Sequence, residues 1–408
     1  MTKRQQLPPQ IKKITVTDRS TGKPVVRYQL VVDAGVNPQT GKRRQVRRRF
    51  STEAAARDEL ATILGGVANG TYVHASKTTV EDVCEAWLAS KHSLKPSTLA
   101  GHRSKLQALR GELGHVEVQR LSKHDLDNLV GRLRRGEAEG RKPWKARSVN
   151  YLLYLATAVL DDQLAQGSVV RNVARLVDRL PADPKKFRTL TEAEMYRILD
   201  WDCRDRHLWT LALYGLRRGE LAGLRWRNIN LTNKTVGHGD DAIPAKHLRV
   251  VENRVTYGKT TTTGTPKSKA SRRTLPLPDE VVAVLKAARK QQAQEQLRLG
   301  PGYGDGDYVA RDELGQPYKP GLLTFRWGRM LKDLKIAHVR LHDARHTCGT
   351  LMHLRGVPIA VISAWLGHAS AAFTMAVYAH SQDDALKAAG MSFARVVTTR
   401  DTETGSGK

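Results

Sequence analysis

The sequence predicts a mainly α-helical protein with small β-sheets, an α+β chain built from several domains. Its 408 residues are too many for one ordinary hydrophobic core, so two or three domains are expected. Apolar residues recur at helical spacing over most of the chain. Turn-rich, β-branched runs are confined to the first 50 residues and to short stretches near 247–256 and 271–277.

The composition indicates a polyanionic partner. The chain holds 68 Lys+Arg against 40 Asp+Glu, a formal net charge of +28. Such an excess repels itself unless a polyanion neutralises it, and nucleic acid is a better candidate than an anionic membrane surface. The sequence has no apolar run near the roughly 20 residues of a membrane span, and it begins without the apolar core of a signal peptide. We expect a cytoplasmic, nucleoid-associated protein that acts on DNA and has no membrane partner.

Residues 1–75 are predicted to form a three-stranded sheet followed by one helix. Turn signals at 20–22 and 37–41 separate the strands. One residue of the Ser51-Thr52 pair caps the helix, and the Gly65-Gly66 pair is expected to end it.

The third strand of this sheet is strongly basic. Its residues 42–49, KRRQVRRR, include six cationic side chains: Lys42, Arg43, Arg44, Arg47, Arg48 and Arg49. Lys and Arg often protect a solvated edge strand. The first 50 residues, however, hold 13 Lys/Arg and only two acids. A strand that contacts DNA phosphates is therefore the favoured interpretation.

Residues 76–180 are predicted to be helical throughout, and their apolar stripes suffice to explain a bundle core. The positions at helical spacing are Val80, Val83, Cys84, Trp87, Leu99, Leu106 and Leu109. A proline-containing linker follows, and the capping box Thr191-Glu192-Ala193-Glu194 begins the next helix. We place a third, mainly helical domain at 187–395 and a disordered tail at 396–408.

The stretch from Gly215 to Glu220 is a turn that leads into a helix. Arg217 lies near the helix start and Glu220 one turn further on. An arginine at such a position can direct its planar guanidinium at a phosphate. An ion pair at i,i+3 on the surface explains the two residues equally well when they are taken alone.

The stretch HDARHTCGTL, residues 342–351, combines two histidines and one arginine. His342, Arg345 and His346 lie at i, i+3 and i+4, on one helix face or close to it. The two histidines also have zinc-ligand spacing, but Asp343 stands where a zinc peptidase needs glutamate, and the arginine would repel a cation. The three scattered cysteines offer neither a disulfide framework nor a cysteine-rich zinc site. A transferring phosphoryl group suits this set better than a metal.

Two further stretches carry candidate residues that are ambiguous alone. The hairpin at 263–278 contains Lys267 and Lys269, which share one face of a strand, but basic hairpins are common. A helix that begins at Pro358 and ends at Gly367 leads to His368. Tyr378 follows ten residues later, in a short helix that Ser370 can cap. A lone tyrosine of this kind is more often a half-buried packing residue.

The order of these motifs resembles the tyrosine recombinase (phage integrase) family. Gly-x-Arg-x-x-Glu, a lysine hairpin, His-x-x-Arg, Leu-Gly-His and a tyrosine ten residues on occur in that family's order. The resemblance covers the whole third domain. The basic sheet and the helical segment are similar to the family's arm-type DNA-binding domain and its helical core-binding domain. The resemblance implies an integrase of a temperate phage or integrative element.

The resemblance also implies a role for each matching residue. The catalytic set would be Arg217, Lys267, His342, Arg345, His368 and Tyr378, with Tyr378 as the nucleophile and Glu220 holding its neighbours in place. Members of that family often have the sequence Pro-Lys-Thr-x-x-Ser at the hairpin, whereas this chain has serine in place of the threonine. Lys269 therefore stays open as an alternative to Lys267.

The implied reaction cleaves and rejoins DNA through a 3′-phosphotyrosyl bond, which conserves the energy of the broken bond, so neither metal nor cofactor is expected. The implied partners are double-stranded DNA at core and arm attachment sites, three further copies of the chain in a tetramer, an excisionase-type directionality factor and a host DNA-bending protein. Two alternatives remain. One is a DNA-binding regulator without catalysis. The other is a type IB topoisomerase-like enzyme, against which the arm-like domain and the Leu-Gly-His motif argue.

Overall fold

The computed structural model describes residues 6–18, 20, 22–36, 43–69, 72–138, 142–181, 188–265, 271–368, 372 and 374–375. The predicted turn at 37–41 and the predicted tail at 396–408 lie outside them. Within this part, the chain is mainly helical with small antiparallel sheets, which confirms the predicted fold class. It divides into two compact units, Met1–Asp183 and Pro184–Lys408. None of the helices in the described ranges is long and apolar enough to span a bilayer.

The first unit begins with a three-stranded antiparallel sheet that is covered on one face by a helix. The strands pair in the order β1-β2-β3, and the four elements are β1 (Ile11–Thr17), β2 (Pro24–Val36), β3 (Arg43–Phe50) and α1 (Glu53–Ala68). Their shared core consists of Ile11, Leu30, Val32, Ala56, Leu60 and Ile63. Thr52 caps α1 by accepting a hydrogen bond from the Ala55 N–H.

The end of α1 differs from the prediction. The helix does not stop at Gly65-Gly66 but continues to Ala68, and the Asn69 N–H closes it by donating to the Gly65 carbonyl. Gly66 lies against the chain after the helix, because a Cβ atom added there would come within 3.2 Å of the Tyr72 Cβ. Gly66 therefore permits close packing, whereas a Cβ atom at Gly65 would meet no atom within 4 Å, and neither glycine terminates the helix.

The strand register places the basic residues of β3 on both faces of the sheet. Arg48 pairs with Leu30, which is fully buried under α1, and its guanidinium contacts the Glu59 carboxylate of that helix. Arg47 and Arg49 alternate with Arg48 and therefore lie on the opposite, open face. Arg48, one of the six predicted DNA contacts, therefore lies on the face that α1 covers, whereas Arg47 and Arg49 lie on the open face.

The open face of the sheet combines polar residues of all three strands. Gln29 of β2 pairs with Lys12 on one side and with Arg49 on the other. The cations on this face are Lys12, Arg27, Arg47 and Arg49. At the start of β3, the exposed Arg43 lies 3.4 Å from the Asp33 carboxylate. Lys42 and the Arg44 side chain lie outside the part of the chain that the structure describes.

The remainder of the first unit is a helical bundle with its own core. Its helices are α2 (Val80–Ala89), α3 (Pro96–Leu113), α4 (Lys123–Arg135) and α5 (Ala146–Ala165). Capping boxes begin α2 and α4. The predicted apolar stripe is buried at Val80, Val83, Cys84, Trp87, Leu106 and Leu109, and Leu99 packs partly buried against it. Packing therefore accounts for the stripe.

The second unit contains two small sheets that are packed among helices. The helices are α6 (Glu192–Leu199), α7 (Arg206–Leu213), α8 (Arg218–Gly223), α9 (Asp279–Leu299), α10 (Pro320–Asp333), α11 (Leu341–Leu354) and α12 (Ile359–Leu366). The strands are β4 (Ile229–Asn230), β5 (His247–Val250), β6 (Asn253–Tyr257), β7 (Thr260–Gly264) and β8 (Arg273–Pro276). One antiparallel sheet has the order β4-β5-β8, and β6 forms a hairpin with β7. The predicted capping box of Thr191 and Glu194 begins α6.

The stretch near 247–256, read as one strand from the sequence, is two strands in different sheets. The chain leaves the first sheet after β5, where Glu252 turns to accept hydrogen bonds from Arg225 and Arg227 at 2.8 and 3.0 Å. The strand β6 then packs against α8. The apolar alternation is interrupted at this point, because Val250 and Val251 are adjacent and three polar residues follow them, so the sequence contained a sign of the break.

The contact between α8 and β6 depends on glycine. A Cβ atom at Gly219 would lie 1.9 Å from the Asn253 side-chain oxygen and 2.9 Å from the Arg254 carbonyl oxygen. At Gly223 the same atom would come within 3.1 Å of the Arg254 nitrogen. The first turn of α8 therefore lies directly on the backbone of β6, which fixes where the residues of that turn point.

We predict that Gly219→Ala lowers the free energy of unfolding by about 1–3 kcal/mol, because the added methyl forces α8 away from β6. Urea unfolding followed by tryptophan fluorescence measures the change. Gly328→Ala is the matched control, since it changes a helical glycine of the same unit that has no atom within 4 Å of the new Cβ. Equal effects of the two substitutions would contradict the packing argument.

Candidate active site

Arg217 and Glu220 form a partly buried pair at the start of α8. The Arg217 backbone N–H and one Nη donate to the two Glu220 carboxylate oxygens at 2.9 and 2.6 Å. The Glu220 side chain is only 3% exposed, whereas that of Arg217 is 30% exposed. The pair is therefore not a solvated surface ion pair. It fixes a guanidinium whose outer edge remains accessible.

Arg345 points into the protein from α11. It is 1% exposed, and its guanidinium donates to the carbonyls of Gly215, at 2.6 Å, and Leu366. Gly215 has a φ of +102°, and a Cβ atom there would lie 3.0 Å from a Leu366 methyl. Glycine therefore allows the turn before Arg217 to approach α12 closely enough for Arg345 to bridge them.

The two histidines of α11 lie together beside this arginine. The ring centroids of His342 and His346 are 4.9 Å apart in an edge-to-face arrangement. His342 is exposed, and His346 is half-buried. The prediction that His342, Arg345 and His346 share one helix face is therefore correct for the two histidines, whereas Arg345 points into the protein.

His368 follows α12 directly, as predicted from the helix-ending glycine. Gly367 ends the helix in the left-handed conformation with a φ of +60°. The His368 N–H then donates to the Ser363 carbonyl at 3.0 Å. Its imidazole Nδ1 lies 2.8 Å from the Thr374 hydroxyl. Both contacts hold the ring next to the carboxyl end of α12.

Three arginines bind three successive carbonyls at the carboxyl end of α12. Arg273 donates to Trp365 at 2.6 Å, Arg345 donates to Leu366, and Arg217 donates to Gly367 at 2.7 Å. The last carbonyls of a helix have no partner within it and carry partial negative charge, so cations suit them. The carbonyls of α12 thus bring arginines from three separate elements to one point.

Sequence reasoning missed Arg273. This residue of β8 donates to both Glu220 oxygens, at 3.1 and 2.9 Å, and its side chain is 6% exposed. A signal was present, because Arg273 lies two residues before the apolar Leu275 and therefore shares its face of the strand, which is buried. An arginine on the inward face of a strand requires a buried partner.

The charge of the site resides in its arginines. Burial alone would raise the pKa of Glu220, but hydrogen bonds and charges from Arg273 and Arg217 outweigh it and hold the pKa below its usual range. Burial, together with Arg345 and Arg217, lowers the pKa of His368 to about 3. Burial and the neighbouring His342 lower the pKa of His346 to about 4. His342 retains an exposed surface, but partial desolvation of its ring by the surrounding protein and the nearby Arg345 charge also lower its pKa.

At neutral pH these imidazoles are therefore uncharged, and each can donate one hydrogen bond and accept one. The guanidinium groups supply the positive charge. This arrangement suits an anion with several oxygens, such as a phosphate diester, since guanidinium groups match its geometry and charge.

The geometry gives no support to a zinc site at the two α11 histidines. Asp343, between them in sequence, accepts two hydrogen bonds of 2.6 Å from Arg340. Across the described ranges, no three His, Cys, Asp or Glu side chains come close enough together to hold a metal ion. Tyr378, Lys267 and Lys269 lie outside the described residues. The prediction that 263–278 forms a hairpin is wrong, because β7 pairs with β6 whereas β8 pairs with β5 in the other sheet.

Comparison with known proteins finds a match to the phage integrase family over residues 188–385. A XerC-like tyrosine recombinase of Caldanaerobacter subterraneus subsp. tengcongensis is 26% identical, over 86% of this chain and 92% of the relative. An integrase of Streptomyces ambofaciens is also 26% identical, over 86% of this chain and 89% of the relative.

Two solved structures share the fold. The Tn1549 transposon integrase in complex with transposon right end DNA has a TM-score of 0.61 and 19% identity, over 78% of this chain and 99% of that one. A lambda integrase tetramer bound to a Holliday junction has a TM-score of 0.52 and 16% identity, over 90% of this chain and 97% of that one. The arrangement of elements is thus shared where little sequence identity remains.

The depressed histidine pKa values predict a pH dependence of stability in the DNA-free protein. Unfolded histidines take up protons near pH 6.5, whereas folded His346 does so only near pH 4. The unfolded state therefore binds more protons between these values, and stability falls as the pH drops from 6.5 towards 4. We expect His346→Asn to make this fall in melting temperature shallower.

The control for this measurement is His338→Asn, which removes an exposed histidine of the same unit. Thermal unfolding is recorded for the three proteins at intervals from pH 7 to pH 5. If the melting temperature of His346→Asn falls with pH as steeply as that of the wild type, the burial of a neutral imidazole at this position is contradicted.

Proposed function

We propose a mechanism for this chain, which is a tyrosine recombinase of the phage integrase family and recombines DNA at specific sites. Arg217 and Arg345 bind the scissile phosphate, and Tyr378 attacks it to form a covalent bond to the 3′-phosphate. The observation that carries the proposal is the convergence of Arg217, Arg345 and His368 at the carboxyl end of α12. Convergent donors at one point are what phosphoryl transfer requires.

The negative charge of the phosphodiester hinders nucleophilic attack, and the arginines offset this charge. A guanidinium has five N–H donors, and the two Arg217 side-chain hydrogen bonds, to Glu220 and Gly367, use only two of them. The accessible edge of Arg217 therefore suits a nonbridging oxygen. Arg345 adds a second positive charge in a buried setting, where charge is weakly screened.

Proton transfer is a further requirement of the reaction. Tyrosine has an ordinary pKa near 10, so the two arginines favour its phenolate form as the oxygen approaches phosphorus. His342, which is exposed and uncharged at neutral pH, accepts the phenol proton, and His368 donates a hydrogen bond to the phosphate. The bond between phosphorus and the 5′-oxygen breaks, and Lys267 donates a proton to this leaving oxygen to give a 5′-hydroxyl, with Lys269 as the alternative acid.

The reverse reaction completes recombination. A 5′-hydroxyl from the partner strand attacks the phosphotyrosine, the DNA is resealed, and tyrosine is released. The phosphotyrosine conserves the energy of the original bond, so the reaction uses no cofactor. We propose that a tetramer on two DNA sites performs this exchange. The lambda integrase tetramer on a Holliday junction shares this fold and supports that assembly.

We further propose that the open face of the N-terminal sheet binds arm sites, which are separate from the core sites where cleavage occurs. We also propose that this integrase inserts and excises a phage or mobile element in the cytoplasm of its bacterial host. The cations Lys12, Arg27, Arg47 and Arg49 share this face. Cations on one face can follow a DNA backbone. An excisionase-type factor sets the direction of the reaction, and a host protein bends the DNA.

The central test is a substrate nicked near the cleavage site, which traps the covalent adduct. We predict that wild-type protein gives a protein–DNA band on a denaturing gel and that Tyr378→Phe gives none while binding the same DNA. A DNA-binding regulator would give no adduct with either protein. An undiminished adduct with Tyr378→Phe would move the nucleophile to another residue.

The sheet assignment gives a second prediction with an internal control. Arg47→Gln with Arg49→Gln should reduce the salt dependence of arm-site binding, by about 0.9 log unit for each phosphate that the variant no longer neutralises. Arg48→Gln, next to both in sequence, should leave the slope near wild type because its guanidinium already contacts Glu59 on the covered face. Equal slopes for all three proteins would mean that this face does not contact DNA.

A further inference from the structure

We infer that Arg273 is a positioning residue for the cleavage step, acting through Glu220 to keep Arg217 directed at the phosphate. The inference rests on the proposed function, since it concerns how the phosphate-binding arginine is held. We assign Arg273 no contact with DNA, because four of the five N–H donors of a guanidinium are used here by protein groups, namely the Glu220 carboxylate and the carbonyls of Trp365 and Ser271. Its effect on the reaction must therefore pass through the groups that it binds.

The hydrogen bonds of Arg273 join three elements. Its two Nη atoms donate to the two Glu220 oxygens, and its Nε donates to the Trp365 carbonyl. Glu220 lies in α8, Trp365 lies at the end of α12, and Arg273 lies in β8. Arg273 therefore sets the distance between the helix that begins at Arg217 and the helix that leads to His368.

The charge balance of the cluster explains why this position carries an arginine. Glu220 is a buried carboxylate shared by two guanidinium groups, so the three side chains together carry one net positive charge. Without Arg273, the Glu220 charge would be balanced by Arg217 alone, in a setting with little screening. The carboxylate would then compete with the substrate phosphate for Arg217, and the net positive charge of the cluster would vanish.

The backbone contacts support the same conclusion. Arg273 binds the Trp365 carbonyl, and the next two carbonyls, of Leu366 and Gly367, bind Arg345 and Arg217. Two arginines that face the substrate in the proposed mechanism are thus anchored on the same turn of backbone as Arg273. Motion of this turn would move both of them together with His368.

A purely structural role for Arg273 makes a different prediction from a positioning role. If Arg273 only joined β8 to α8, its removal would cost stability, and removing the partner charge as well would not restore catalysis. If Arg273 offsets the Glu220 charge, then Glu220→Gln should relieve the defect. The amide keeps an oxygen that accepts from Arg217, and the net charge of the cluster returns to plus one.

The experiment measures the rate of covalent adduct formation at saturating protein on the nicked substrate. We expect Arg273→Met to slow the step by about 10²-fold, as for removal of one electrostatic interaction with a transition state, with DNA affinity little changed. The double variant Glu220→Gln/Arg273→Met should recover to within about tenfold of wild type. Arg272→Met, which removes the same charge from the adjacent, exposed position, is the matched control.

Three outcomes decide the inference. A wild-type rate for Arg273→Met would overturn it. So would a folded double variant that is as slow as Arg273→Met. If Arg273→Met alone fails to fold, the comparison of the double variant with Glu220→Gln alone carries the test, and a further decrease of about 10²-fold would contradict the charge role. Absence of any adduct with wild-type protein would instead reject the proposed function, so the two failures are distinguishable.

Discussion

The burial of one carboxylate, that of Glu220, between two arginines is the interaction on which the candidate site depends. A buried charge destabilises a protein unless it is paired and hydrogen-bonded. Glu220 meets this requirement with the guanidinium groups of Arg217 and Arg273 and with the Arg217 backbone N–H. Because these partners come from different elements, satisfying the carboxylate fixes α8 against β8 and orients Arg217 at the same time.

The carboxyl end of α12 extends this constraint to the rest of the site. Its three final carbonyls accept hydrogen bonds from Arg273, Arg345 and Arg217. The turn that precedes Arg217 approaches α12 closely because Gly215 adopts a positive φ. The site is thus held by backbone groups as much as by side chains, and its cations are in place before any phosphate arrives.

Local features of the sequence predicted much of this architecture. Arg217 at the start of a helix, Gly367 at the end of another and the capping box at Thr191 were all evident from residue type and spacing. Burial and long-range partners were not. Glu220 looked equally like a surface residue, because its second partner is 53 residues away, and the separation of Arg48 from its neighbours depended on which sheet face α1 covers. The roles of Tyr378 and Lys267 follow from motif order and stay proposals.

The measurement that tests this account most directly is a crystal structure of the protein on its nicked core DNA with vanadate in place of the scissile phosphate. The account predicts that Arg217 and Arg345 donate to equatorial oxygens, that the Tyr378 oxygen is apical, and that Glu220 still binds both Arg217 and Arg273. An Arg217 turned away from the vanadate, or an apical oxygen from any other residue or from water, would contradict it.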